Sequence, residues 1–243
     1  MSWRSPAHLP RGVTPPPFAA HELTPRLGAV AAHVPAGVTV ADVGTDHGHL
    51  PRALLASGHT PSVLAMDVAR GPLSFAKRHL EGFGDRVSLR LGSGLSQLHA
   101  GEAHTVTICG MGGETMEEIL TADPPAPLGV ERLIVQPQSR LALVRHTLVA
   151  QGYTLTDERF VVDGRHFYLV MVADRGGSPL SFEDAVLGPV ARVRRGPCFE
   201  AWLSIKARWW RARMAGMGDS ATEAQRQEAA LIERTIDLGR STP

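Results

Sequence analysis

Short apolar runs alternate with stretches of helical periodicity from about residue 24 to residue 152. The apolar runs are typical of buried parallel strands, and they predict strands at 38–43, 62–67, 86–91, 105–109 and 132–136. The periodic stretches predict helices at 51–56, 72–82, 114–120 and 141–151. A further helix is predicted to begin at Thr24-Pro25, a capping hydroxyl followed by proline. This alternation indicates an α/β domain with an open, doubly wound parallel sheet.

The end of this region departs from the alternation. Residues 154–162 and 165–172 are both strand-like and are joined by Asp163-Gly164. Asp-Gly between two such segments is a strong hairpin signal, because a type I′ turn needs positive φ at both central residues. The sheet is therefore predicted to end in an antiparallel pair. A mostly parallel, Rossmann-like sheet with a terminal antiparallel hairpin is the layout of class I methyltransferases, which is the predicted fold class.

The composition changes after Gly176-Gly177-Ser178-Pro179, and the remaining residues are predicted to be helical. Ser181 with Asp184 and Ser220 with Glu223 have the spacing of a capping box. Three segments are therefore predicted: a Pro-rich, disordered tail at 1–21, the α/β domain at 22–175 and a C-terminal helical domain at 176–243.

Composition and charge narrow the class of protein. A chain of 243 residues suffices for one full α/β domain and a small additional one. The net charge of +1 predicts no polyanion partner, so any nucleic-acid site must come from local clustering. The two cysteines, Cys109 and Cys198, form no CxxC motif, and the eleven histidines lie in no recognised ligand spacing, so no metal is predicted. The sequence has neither a membrane-spanning run nor a signal peptide, and a cytoplasmic protein is predicted.

Glycines or a carboxylate follow four successive predicted strands. The first strand leads into residues 42–51, and the second ends at Asp67, about 20 residues after the first glycines, where a carboxylate can meet ribose hydroxyls. The third and fourth strands lead into residues 92–94 and 110–113. Each motif alone fits a helix start or a tight turn. Together they predict a nucleotide-like ligand, because open α/β sheets bind ligands outside the carboxyl ends of their strands.

These motifs resemble the bacterial tRNA (adenine-22 N1)-methyltransferases of the TrmK type. The resemblance covers about residues 23–174, with a weaker match at 187–189. The segments that carry it are 42–51, 71–73, 91–95, 108–113 and 136–137. This sequence has Ser93, Gln138 and His49 where the family usually has aspartate, asparagine and an aromatic residue. The resemblance implies an S-adenosylmethionine-dependent enzyme that methylates the N1 nitrogen of an adenine in tRNA, at position 22.

The resemblance also implies the site residues. The residues expected to bind the cofactor are Asp42, Gly44, His47, Gly48, Asp67, Val68, Gly92, Ser93, Gly94 and Gly110. The slot for the substrate base is expected at Met111, Gly112 and Gly113. Asp46 is the expected catalytic residue, because a carboxylate stands in the cofactor turn where glycine would suffice. The alternative is a turn carboxylate hydrogen-bonded to nearby amides.

The helical segment contains basic residues interleaved with Trp202, Trp209 and Trp210. Such a pattern suits phosphate contact and base stacking, so this segment is predicted to bind tRNA. The basic residues concerned are Arg192, Arg194, Arg195, Lys206, Arg208, Arg211 and Arg213. The alternative is a solvated helix face whose tryptophans pack on the α/β domain.

Other functions stay open at this point. One is a class I methyltransferase that acts on a small molecule or a protein. Another is a non-catalytic RNA-binding protein with a degenerate cofactor fold, which Ser93 in place of aspartate favours. A nicotinamide-dependent dehydrogenase is disfavoured by the terminal hairpin and by the lack of a clean GxGxxG motif.

Overall fold

A computed structural model describes residues 23–240 of the chain. The predicted disordered tail, residues 1–21, lies outside the described residues. The described strands form one seven-stranded sheet in the order β3-β2-β1-β4-β5-β7-β6. The strands are β1 (Val40–Val43), β2 (Val63–Asp67), β3 (Val87–Leu91), β4 (Thr105–Met111), β5 (Arg132–Pro137), β6 (Tyr153–Asp163) and β7 (His166–Arg175).

The pairing of the strands confirms the predicted fold class. Strands β1 to β5 pair in parallel, whereas β7 pairs antiparallel with both β5 and β6. The hairpin turns between Asp163 and His166, which face each other in the β6–β7 register. The strand order reverses between β1 and β4, and a crevice at the carboxyl ends of such strands is the usual ligand site of an open α/β sheet.

Helices cover both faces of the sheet and continue beyond it. They are α1 (Pro25–Ala31), α2 (His49–Ala56), α3 (Arg70–Leu80), α4 (Gly113–Ala122), α5 (Leu141–Ala150), α6 (Phe182–Leu187), α7 (Ala191–Arg194), α8 (Pro197–Met217) and α9 (Glu223–Arg240). No helix within residues 23–240 combines the length and apolar character that a membrane crossing requires.

Two of the three residues predicted to cap a helix N-terminus are confirmed, and the third is wrong. The Thr24 hydroxyl accepts a hydrogen bond from the Leu27 amide, and Ser181 accepts one from the Asp184 amide. The predicted cap at Ser220 is wrong, because this hydroxyl donates to the carbonyl of Met217 within a short 3₁₀ turn. Thr222 caps α9 instead, through a reciprocal pair of hydrogen bonds with Gln225.

The hydrophobic core forms a layer on each face of the sheet. One layer packs α1, α2 and α3 against the first face. The other includes α4 and α5 and extends without interruption to Phe199, Trp202, Leu203 and Trp210 of α8. The helices beyond the boundary predicted near residue 176 therefore share a core with the sheet. Trp202 and Trp210 are buried, as the packing alternative expected, but Trp209 is exposed.

Candidate functional site

A cavity of about 780 Å³ opens at the carboxyl ends of β1, β2, β3 and β4. It lies where the strand order reverses, and each of the four predicted strand-end motifs contributes to its lining. The residues from α1 and α4 close its sides. The sheet therefore gathers motifs that are far apart in the sequence around one space.

The turn after β1 forms one wall of the cavity. The amides of Gly44 and Thr45 both donate to the carbonyl of Met66 at 2.9 Å, which fastens the turn to β2. Gly44 has a φ of 69°, a left-handed conformation that favours glycine, and it lies against the flexible end of the Met111 side chain. The turn thus keeps a fixed backbone beside the cavity.

Asp67 holds this turn and also lines the cavity. One carboxylate oxygen accepts from the amide of Asp46 at 3.1 Å, and the other accepts from the amide of Ala69 at 2.9 Å. Its own carbonyl accepts from the amide of Gly92 at 3.0 Å. The end of β2 is therefore the point at which the β1 and β3 loops are connected.

Asp42 lies at the floor of the cavity and is only 5% exposed. Burial raises the pKa of its carboxyl group to about 6, against the opposing effect of a hydrogen bond from Thr107. The Thr107 hydroxyl donates to this carboxyl at 2.6 Å, and the charge of nearby Asp67 raises the pKa further. Asp42 is therefore a buried group whose charge depends on pH in the mildly acidic range.

Asp46 lies at the mouth of the cavity. Its backbone is left-handed, with a φ of 51°, a conformation that aspartate tolerates better than most residues and that glycine adopts freely. Its side chain is 66% exposed, and one carboxylate oxygen lies 3.5 Å from Nε2 of His47. The carboxylate is thus available at the rim, in a turn where glycine would fit without strain.

Most of the predicted site residues line this one cavity. Those in the lining are Asp42, Gly44, Asp46, Asp67, Val68, Gly92, Ser93, Gly94, Gly110 and Met111. The structure therefore brings together residues from all four strand ends. Their roles in binding and catalysis stay predictions.

Four predicted residues do not line it. His47 packs edge-on against Phe75, with ring centroids 5.0 Å apart. Gly48 caps α2 in a left-handed conformation, where a side chain would approach Leu80. Gly113 begins α4, and an added Cβ would lie 2.6 Å from the carbonyl oxygen of Ser139. Gly112 lines a second, adjacent cavity instead.

Arg26 lines the cavity, although the sequence reasoning did not select it. Its Nη1 donates to Oε1 of Gln136 at 2.7 Å, and its guanidinium lies over the ring of Tyr168. The sequence offers only a weak signal for it, an arginine in the first turn of a capped helix. Contacts with residues more than 100 positions away place it in the site.

The lining is strongly acidic. Its carboxylates are Asp42, Asp46, Asp67, Glu118 and Asp123, and Arg26 is the one arginine or lysine among the described lining residues. Such a lining favours a ligand that carries positive charge and hydroxyl groups. Residues 23–240 contain no group of three or more histidine, cysteine or acidic side chains arranged to hold a metal.

The predicted tRNA-binding residues do not form one uniform patch. Four of them make ion pairs within the molecule, with these partners: Arg192 with Asp184, Arg194 with Asp157, Arg195 with Glu200, and Arg211 with Glu233. Arg208 is exposed on α8. Lys206 and Arg213 both lie 5.2 Å from the ring centre of Trp209.

Comparison with known proteins identifies similar sequences and folds. Residues 23–171 match the model of a methyltransferase-domain family. The tRNA (adenine(22)-N(1))-methyltransferase of Bacillus subtilis is 35% identical over 164 residues, which are 67% of this chain and 69% of that protein. The crystal structure of the B. subtilis M1A22 tRNA methyltransferase TrmK has a TM-score of 0.77 and 29% identity, with 90% of this chain and 97% of that chain covered. A Streptococcus pneumoniae protein in complex with S-adenosyl-L-methionine has a TM-score of 0.79 and 28% identity, with 87% and 98% covered.

Proposed function

Because the chain belongs to the family of bacterial tRNA (adenine-22 N1)-methyltransferases, we propose that it transfers a methyl group from S-adenosylmethionine to N1 of adenine 22 in tRNA. The observation that carries this proposal is the acidic cavity at the four strand ends. It lies on a fold shared with a protein that binds S-adenosyl-L-methionine.

The residues of the cavity fit this cofactor. Asp67 lines the cavity and would accept hydrogen bonds from ribose hydroxyls, and the exposed Val68 beside it would offer apolar surface to an adenine ring. Arg26 is the lining residue suited to a carboxylate. The surrounding carboxylates favour a positively charged sulfur. When bound, S-adenosylmethionine supplies an electrophilic methyl group on that sulfur.

Asp46 is the group that we assign to the target base. The N1 nitrogen of neutral adenine already has a lone pair, so no base has to remove a proton before attack. Positive charge then develops on the purine and is shared with its exocyclic amine. The Asp46 carboxylate at the cavity mouth would accept a hydrogen bond from that amine, orient the base and stabilise the charge.

The tRNA would contact the end of β4 and the C-terminal helices. Met111 at the end of β4 lines the cavity and would contact the target base, with Gly112 on the adjoining wall. The helices after residue 176 would bind the tRNA outside the target base, with Arg208 and the residues around Trp209 as the accessible basic side chains. A cytoplasmic location follows from a tRNA substrate.

Thermal unfolding with different ligands tests the cofactor part directly. A ligand that binds only the native state stabilises it by RT ln(1 + [L]/Kd), which is about 2.7 kcal/mol at 100 times Kd. We expect S-adenosylmethionine and S-adenosylhomocysteine to raise Tm and NAD to leave it unchanged. A shift with NAD alone would favour a dehydrogenase, and no shift with any of the three would favour an RNA-binding protein that has lost its cofactor. Transfer of labelled methyl groups to tRNA then tests the reaction.

A further inference from the structure

A second cavity of about 880 Å³ adjoins the first, and Gly112 is the one residue of its lining to which the proposed reaction gives a role at the target base. It lies between the turn of the β6–β7 hairpin, the start of α5 and the facing sides of α8 and α9. Gln138 lines both cavities, and Gly112 of the second directly follows Met111 of the first. The two cavities therefore adjoin at Gln138, between the cofactor site and the helical segment.

The charge of this second cavity is opposite to that of the first. Arg140, Arg165, Lys206 and Arg213 line it, and Glu228 is the one acidic side chain among the described lining residues. Arg140 pairs with Glu114 at 2.9 Å. Arg165 and Arg213 are exposed, and neither makes an ion pair with a residue in the described part of the chain. In a chain with a net charge of only +1, this local concentration of positive charge favours an anionic ligand.

Trp209 offers a flat aromatic surface inside this basic cavity. The residue is 37% exposed, and the charged groups of Lys206 and Arg213 lie over its ring, each 5.2 Å from the ring centre, so a stacking base would take the place of one of these cations. Trp210 fixes its orientation from the edge, with ring centroids 4.8 Å apart and ring planes at 75°. The Trp210 indole N–H donates to Oε1 of Glu228 at 3.2 Å. The one acidic side chain among the described lining residues therefore already has a hydrogen-bond partner.

We propose that the second cavity binds unpaired nucleotides that adjoin the target adenine, with one base stacked on Trp209 and the backbone phosphates on Arg165 and Arg213. Exposed aromatic rings between cations suit single strands, because an unpaired base presents its face whereas a duplex presents mainly phosphates and groove edges. The shared rim at Gln138 lets one strand occupy both cavities. This inference rests on the proposed function, which makes RNA the substrate.

Three variants test the site, with a comparison variant on the same helix. Trp209→Ala removes the stacking surface, and Trp209→Phe retains a smaller one. Arg165→Ala with Arg213→Ala removes two exposed cations of the cavity. Arg208→Ala is the comparison variant, because Arg208 is an exposed arginine of α8 that does not line the cavity, so its loss reports only a tRNA contact outside the cavity. Calorimetric titration with S-adenosylhomocysteine checks that each variant is folded, and filter binding at several salt concentrations measures affinity for tRNA.

We expect Trp209→Ala to weaken tRNA binding about 5- to 150-fold, the loss typical of one base stacked on an aromatic side chain. Trp209→Phe should lose less. The double arginine variant should reduce the slope of log affinity against log salt by about 1.4, because each phosphate contact to a single strand contributes about 0.7. Arg208→Ala should leave the stacking contribution unchanged and lower the slope by no more than one phosphate contact.

The proposal is overturned if Trp209→Ala and the double arginine variant bind tRNA as tightly as the wild-type protein. It is also overturned if Trp209→Ala changes the sedimentation behaviour instead of RNA affinity, since this face would then be a contact between copies of the chain. If the wild-type protein methylates tRNA and the variants react equally well, the site fails and the proposed function stands. If the variants lose RNA affinity in a protein that methylates no tRNA, the proposed function fails and the RNA site stands.

Discussion

Arg145 and Glu158 form an ion pair in which both side chains are completely buried, with Nε of the arginine 2.7 Å from Oε1 of the glutamate. Arg145 belongs to α5 and Glu158 to β6, and both also contact the helices that follow the sheet. Arg145 donates to the carbonyl of Ala185 at 2.8 Å. Glu158 accepts from the amides of Val190 and Ala191 at 3.0 and 3.1 Å. The pair therefore fastens α6 and α7 to the catalytic sheet.

We expect Arg145→Met to lower the free energy of unfolding by about 3–5 kcal/mol, because it leaves the Glu158 carboxylate buried without its cation. Urea unfolding measures this change. As a control, the double variant Arg145→Met with Glu158→Gln should lose less than the sum of the single losses, because it leaves no uncompensated charge. Strictly additive losses would mean that the two side chains do not stabilise each other.

The cofactor prediction concerns Asp67. Asp67→Ala should weaken S-adenosylmethionine binding by about 1.5–3 kcal/mol, the loss expected for charge-assisted hydrogen bonds. Part of this loss would come from the turn, since Asp67 also accepts from the amides of Asp46 and Ala69. Calorimetry measures the dissociation constant, with Asp85→Ala, an exposed aspartate outside the cavity, as the control. An unchanged constant for Asp67→Ala would exclude this carboxylate from the site.

The catalytic prediction concerns Asp46. Asp46→Gly removes the carboxylate and suits the left-handed backbone, so the variant should fold and bind the cofactor normally. Single-turnover methylation of tRNA should slow by roughly 10²- to 10⁴-fold, the range for loss of one positioned polar group. Asp46→Asn separates the effect of the charge from that of the side chain's shape. A rate within about threefold of wild type for both variants would make Asp46 a turn residue only.

The free energy of unfolding is predicted to depend on pH because of Asp42. Its pKa is raised from 3.8 to about 6 in the folded protein, so the folded state holds this proton more tightly than the unfolded state does. Its contribution to stability is therefore present below about pH 4 and is lost as the pH rises to about 6. Since each pKa unit corresponds to about 1.4 kcal/mol, wild type should lose about 3 kcal/mol relative to Asp42→Asn over this range. Parallel curves of unfolding free energy against pH for the two proteins would contradict this.

The sequence predicted the order and type of the elements of the sheet, because apolar runs and the Asp163-Gly164 turn are local signals. The strand-end motifs were also found locally, and the sheet places most of them in one cavity. Arg26 was missed because α1 reaches the site only through tertiary contacts such as that with Gln136. The sequence predicts that the basic residues of the helical segment bind tRNA, but Arg194 pairs with Asp157, which lies 37 positions earlier in the chain. Ion pairs between residues that are far apart in the chain cannot be predicted from the local pattern of charges.

Locating the methyl group on tRNA tests directly whether this chain methylates N1 of adenine 22. Purified protein is incubated with S-adenosylmethionine and two tRNA transcripts that differ only in having adenine or guanine at position 22, and the nucleosides are mapped by mass spectrometry. We expect 1-methyladenosine at position 22 of the first transcript and no methylation of the second. Equal methylation of both transcripts, or no methylation of either by a protein that binds the cofactor, would contradict this expectation.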